Sequence, residues 1–98
     1  MYLKVHSSPL GEVVALCDAE LLGLVISEGE TRLDLRSHAS FYKGKRVTPR
    51  EAKQALMGAR NANIVGRKSL AAAQKAGIDC ARALTISGVP HLQIYGIS

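Results

Sequence analysis

No apolar run in this 98-residue chain approaches the ~20 residues that a membrane-spanning helix needs. The opening stretch, MYLKVHSSPLGE, lacks the basic segment and long apolar core of a signal peptide. The expectation is a soluble, cytoplasmic protein with no membrane partner. Cysteine is scarce: Cys17 and Cys80 are the only two. They could pair, but they make no disulfide framework. Thiols inside cells usually stay reduced, so free thiols are expected. These cysteines and the three histidines, His6, His38 and His91, show neither C-x-x-C nor H-x-x-x-H spacing, so no metal site is expected and no cofactor is implied. The G-x-x-x-x-G-K-[ST] phosphate loop is absent. Internal repeats and low-complexity segments are also lacking. The length bounds one domain over residues 1–98, able to bury one compact core.

What is present is a hydrophobic fraction of 47%, which excludes a chain disordered by composition. Basic charge is also present, unevenly spread. Residues 1–35 carry two cations against six acids, a net −4, whereas residues 36–98 carry eleven against two, a net +9. An excess of this kind suits a polyanionic partner for the second part.

Along the chain, residues 2–7 alternate as a strand, with Leu3 and Val5 on one face, and Ser8-Pro9-Leu10-Gly11 is turn chemistry. Residues 12–18 (EVVALCD) are apolar on both faces, as a central strand would be. A third strand is expected over 21–28 with a bulge or bend at Gly23. A fourth spans 31–36, with Leu33 and Leu35 inward and Arg32, Asp34 and Arg36 outward. Residues 37–47 read as a polar, irregular connection. In TPRE, Thr48 caps a helix, Pro49 takes its first position and Glu51 closes a capping box. Ala52, Ala55, Leu56 and Ala59 give that helix a small apolar face, and Arg50, Lys53, Met57 and Arg60 give it a cationic stripe. Ser69 is expected to cap a second helix over 70–76 that ends at Gly77. Strands follow over 83–86 and 91–97, joined by a Ser87-Gly88-Val89-Pro90 turn. The pattern predicts an α+β fold: a mostly antiparallel sheet of about five or six strands with two helices packed on one face.

Four segments, GEVVALCD with ELLG, FYKGKRV, ANIVG and GVPHLQ, resemble the archaeal family catalogued as domain of unknown function 424. The resemblance spans nearly the whole chain. It implies an archaeal, single-domain, cytoplasmic protein and points towards translation. It supplies no catalytic residue. One departure is Arg67, where the family pattern places an acid after NIVG.

The candidate sites follow from residue chemistry. In FYKGKR, Phe41 or Tyr42 could stack a base while Lys43, Lys45 and Arg46 meet phosphates. In GRKS, Gly66, Arg67, Lys68 and Ser69 could hold an anion at a helix start. Arg50, Lys53, Arg60, Arg67 and Lys68 would form the centre of a nucleic-acid face, flanked by Lys43, Lys45 and Arg46. Cys17, between apolar neighbours, reads as a small core residue. Around GVPH, Pro90 stiffens a turn, and His91 is expected to make a structural hydrogen bond. The leading functional reading is a non-enzymatic RNA-associated protein, linked to translation or ribosomes, whose partner is RNA or a ribonucleoprotein. A protein–protein adaptor is the second reading, and an enzyme around Cys17, His91 and Tyr95 the third. Oligomeric state is left open.

Overall fold

The computed structural model describes residues 1–9 and 11–96. In chain order the elements are β1 (Tyr2–Ser8), β2 (Gly11–Cys17), β3 (Val25–Glu28), β4 (Thr31–Asp34), α1 (Ala39–Tyr42), β5 (Lys45–Arg46), α2 (Pro49–Leu56), β6 (Asn61–Val65), α3 (Arg67–Lys75), β7 (Leu84–Ile86) and β8 (Val89–Tyr95). Six strands form one sheet in the order β5-β1-β2-β6-β8-β7, and β3 and β4 form a separate hairpin. Among the described residues every pairing is antiparallel except β2 with β6, which is parallel from Val14↔Ala62 to Cys17↔Val65. The α+β class, the mostly antiparallel sheet and two helices on one face are therefore as expected. No helix among the described residues is long and apolar enough to cross a membrane.

The two sheet faces differ in chemistry. On one, Val14, Leu16, Ala62, Ile64 and Leu92 pack against Ala52 and Leu56 of α2 and Ala72 and Ala73 of α3. Alanines at the contact let both helices approach the sheet closely. On the other face, Ala15, Cys17, Val65 and Ile86 pack under Leu33, Leu35 and Tyr42. The β3–β4 hairpin and α1 thus cover part of the second face. Ser87 ties the hairpin down: its N–H donates to Glu28 Oε1 at 2.7 Å and its hydroxyl to the Ser27 carbonyl at 2.7 Å.

The Thr48 capping box forms in full. Glu51 N–H donates to Thr48 Oγ1 at 3.2 Å, and Thr48 N–H donates to Glu51 Oε1 at 3.0 Å.

Several local expectations need correction. The third strand starts at Val25, because residues 19–21 form a 3-10 turn. The polar connection contains α1 and β5. α2 stops at Leu56, where Met57 turns extended and Gly58 adopts φ +77, so Ala59 and Arg60 lie beyond the helix. A strand, β6, stands between the two long helices where no element was expected. α3 begins at Arg67 with Gly66 as its cap, so Ser69 lies inside the first turn. The last hairpin turns on Ser87 and Gly88 alone, both at positive φ (47 and 79), the geometry a two-residue hairpin loop favours. Val89 and Pro90 already belong to β8. Leu10 of the first expected turn and Ile97 of the last expected strand lie outside the described residues.

Candidate functional site: a polar cleft and a cationic groove

The second sheet face is covered over β2 and β7 but not over the lower parts of β6 and β8. Alternation along β8 places His91, Gln93 and Tyr95 on this face, and the register sets Asn63 opposite Gln93 and Val65 opposite His91. With Tyr42 of α1 and Arg32 of the hairpin, Asn63, His91, Gln93 and Tyr95 line a cleft of about 390 Å³.

Asn63 organises it. The Tyr42 hydroxyl donates to Asn63 Oδ1 at 2.8 Å, and His91 Nε2 lies 2.9 Å from the same oxygen. A carbonyl oxygen only accepts, so His91 Nε2 carries the proton and Nδ1 is left as an acceptor. Burial pushes the His91 pKa below its ordinary value, which favours this neutral ring. Burial also pushes the Tyr42 phenol up, with smaller contributions from Cys17 and Tyr95, so it stays a donor. Tyr42 is itself buried, at 4% exposure.

The other histidines have structural partners. His6 Nε2 donates to the Phe41 carbonyl at 2.8 Å, and its ring stacks on Phe41 with centroids 4.3 Å apart. His38 Nδ1 donates to the Asp34 carbonyl at 3.0 Å. The two aromatics of FYKGKR are therefore engaged inside the fold, Phe41 with His6 and Tyr42 with Asn63.

Cys17 is fully buried, and both cysteines are free thiols. Burial first, then the negative charges of Asp18 and Glu20, push the Cys17 pKa up to about 12. Its S–H donates to the Asp18 carbonyl at 3.3 Å. In the ladder Val65 stands between Cys17 and His91, and His6 pairs with Val13 at the far end of β2. No thiol–imidazole pair forms. At neutral pH only on the order of 10⁻⁵ of this thiol is ionised, against a few per cent for an ordinary cysteine. A thiol reagent applied to the native protein should therefore modify Cys80, which is half-buried, and leave Cys17 intact until denaturant is added. Mass spectrometry of the labelled peptides checks this, and rapid native labelling of Cys17 would restore it as a nucleophile candidate.

The basic residues fall into separate places. Arg50 and Lys53 of α2 and Lys68 and Lys75 of α3 surround a groove of about 480 Å³ on the outer side of the helix layer. Lys68 reaches Glu20 at 3.1 Å. Among the described residues no carboxylate pairs with Arg50, Lys53 or Lys75. Lys45 sits on the edge strand β5 within 4.0 Å of Glu51, and Arg46 lies over the Tyr2 ring at 5.4 Å. Lys43 is exposed just before β5. Arg60 precedes β6 and Arg67 follows it, which sets them roughly 15–20 Å apart along the strand direction. Arg67 Nε donates to the Gly88 carbonyl at 3.2 Å and so holds the last hairpin turn. Arg60 and Arg67 thus stand at opposite ends of β6, with Lys68 beside Arg67.

The start of α3 is filled by the chain's own anion. Asp18, 3% exposed, accepts from Lys68 N–H at 3.1 Å, Ser69 N–H at 2.7 Å and Ser69 Oγ–H at 2.7 Å. Ser69 is fully buried. The order of residues in GRKS does describe an anion-holding helix start; the signal missed in the sequence is that Asp18, 51 positions away from Ser69, supplies the anion. Asn63 was the other omission. Its alternation with Ile64 was visible, but asparagine is poor evidence for a strand.

A helix layer over a mixed sheet, with a hairpin part-covering the far face, defines a two-layer α+β protein. The chain belongs to the family described as "Protein of unknown function (DUF424)", whose family model matches residues 5–97. It is similar to a crystal structure of an uncharacterized conserved protein from Methanopyrus kandleri, with 25% identity and a TM-score of 0.77, covering 99% of this chain and 93% of that one. No curated protein matches the chain.

Proposed function

We propose that the protein associates with RNA, free or within a ribonucleoprotein, through the groove between α2 and α3. The observation that carries this reading is the cationic rim of Arg50, Lys53, Lys68 and Lys75, three of them without an acidic partner among the described residues. Four of the eleven cations of residues 36–98 meet there, where two helices present them to one ligand. Long cationic side chains around a shallow groove hold phosphates without reading bases, so binding is weak and largely independent of sequence.

Labelled single-stranded RNA, titrated at about 50 and 200 mM salt, tests it. With three or four phosphate contacts the affinity should fall roughly 20- to 50-fold between the two. Arg50→Glu with Lys53→Glu and Lys75→Glu, the first and last at exposed positions and Lys53 half-buried, should remove binding at low salt and leave the melting curve close to wild type. Absence of binding at low salt, or equal affinity in the triple variant, would overturn the reading.

A further inference from the structure

We infer that the Tyr42–Asn63–His91 cleft is a binding site for a nucleobase, a planar heterocycle with a donor–acceptor edge. The cleft lies on the sheet face opposite the helical groove, so the inference does not rest on the polyanion reading.

The first support is the hydrogen-bonding left over after the fold has taken its share. Asn63 Oδ1 serves Tyr42 and His91, whereas its NH₂ has no partner among the described residues. His91 Nδ1 has none either. No fully buried side-chain nitrogen or oxygen among the described residues is unpartnered, so neither group is completely sealed from solvent, and both residues are half-buried. Each is nevertheless fixed, because the other end of its side chain is bonded. The cleft therefore presents one oriented donor and one oriented acceptor. The Asn63 Oδ1–His91 Nε2 bond lies between them, so the complementary ligand is a flat heterocycle broad enough to offer an acceptor and an N–H donor at two separate positions of its rim, as a purine does.

The second support is the sheet surface. His91, Gln93 and Tyr95 follow one another at every second position of β8, on the face that carries Asn63. Tyr95 is 68% exposed, a ring next to the cleft with an open π-face. Aromatic rings beside single polar groups hold bases by stacking, with the edge read by hydrogen bonds. The Gln93 side chain, also exposed, adds a further amide to the same surface. A fold that needed only to close this face would place apolar residues at these positions, as it does at Val65 and Ile86.

Adenosine, guanosine, cytidine and uridine are the probes, since a nucleoside has no phosphate for the helical groove. Titration followed by NMR should shift the His91 ring and Tyr95 signals. A ligand of nucleoside size reaches a dissociation constant of about 0.1 mM at ordinary efficiency. Tyr95→Ala, at an exposed position, should weaken binding about tenfold. Asn63→Asp keeps the oxygen that Tyr42 and His91 use but replaces the donor by an acceptor; it should also weaken binding about tenfold or more while the domain stays folded. Comparing a mononucleotide with a short single-stranded oligonucleotide identifies the source. If Tyr95→Ala weakens both, the base comes from a strand; if it weakens the mononucleotide alone, the ligand is a free nucleotide. Either result supports the site. Absence of shifts at His91 with all four nucleosides at millimolar concentration overturns it, as does unchanged binding in both variants. A failed RNA titration leaves this test untouched, so the two readings fail separately.

Discussion

Gly66→Ala should destabilise the protein by about 3–5 kcal/mol. Two separate costs produce this. Gly66 has φ 107 and ψ 158, a region open essentially to glycine, where another residue costs roughly 1–3 kcal/mol. An added Cβ would also overlap Asp18 Cγ and both carboxylate oxygens, far closer than van der Waals contact allows. That carboxylate cannot step aside. It holds three hydrogen bonds to α3, and its backbone N–H is bound to the Val65 carbonyl at 3.0 Å. At about 4–8 °C per kcal/mol for a domain of this size, the melting temperature should fall by roughly 12–40 °C. Thermal and denaturant melts measure it. Repeating Gly66→Ala in an Asp18→Gly background isolates the collision. With the carboxylate gone only the backbone cost remains, so the second variant should lose less than the first by about 1–2 kcal/mol. A loss below about 1 kcal/mol in the wild-type background would mean that the β6–α3 turn relaxes and that glycine is not required there.

This turn shows how far the sequence could be read. Local chemistry was legible wherever the partner lay nearby. TPRE announces its helix because Thr48 and Glu51 are three residues apart. Residues 31–36 announce inward Leu33 and Leu35 by alternation, and both are buried. EVVALC reads as central because both of its faces are apolar, and β2 does lie between β1 and β6. Long-range chemistry was not legible. NANIV carries two asparagines, which local propensity assigns to turns, yet tertiary packing of Ala62 and Ile64 on the helix layer makes it a strand. The Asn63 side chain acquires its role only when Tyr42, 21 positions earlier, and His91, 28 later, are folded onto it. The cationic residues were each visible, but their grouping depended on where α2 ends. With the helix stopping at Leu56, Arg60 leaves the stripe and Lys75 joins the groove.

Asp18→Ala should cost about 3–5 kcal/mol, more than truncation of an ordinary helix cap, which costs roughly 1 kcal/mol. A typical cap satisfies one or two exposed N–H groups that water can take over. Asp18 satisfies Lys68 N–H, Ser69 N–H and the Ser69 hydroxyl in a place where Ser69 is fully buried. Removing the carboxylate strands the two Ser69 donors at roughly 1–3 kcal/mol each and gives up the favourable charge at the helix start. Asp18→Asn separates shape from charge. Its amide oxygen can still accept from Ser69, but its NH₂ faces the Lys68 N–H, donor against donor, so it should lose about 1.5–3 kcal/mol. Ser69→Ala removes a donor and leaves the carboxylate its two backbone partners, which should cost about 1–2 kcal/mol. The expected order of stability is therefore wild type, Ser69→Ala, Asp18→Asn, Asp18→Ala, read from denaturant midpoints with unchanged slopes. Asp18→Gly adds a chemical test. It leaves room where the carboxylate stood, so formate should bind the vacated helix start and raise the melting temperature of this variant but not of wild type. Equal stability of Asp18→Ala and Ser69→Ala, with no response to formate, would show that solvent reaches the start of α3 and that the internal carboxylate is dispensable.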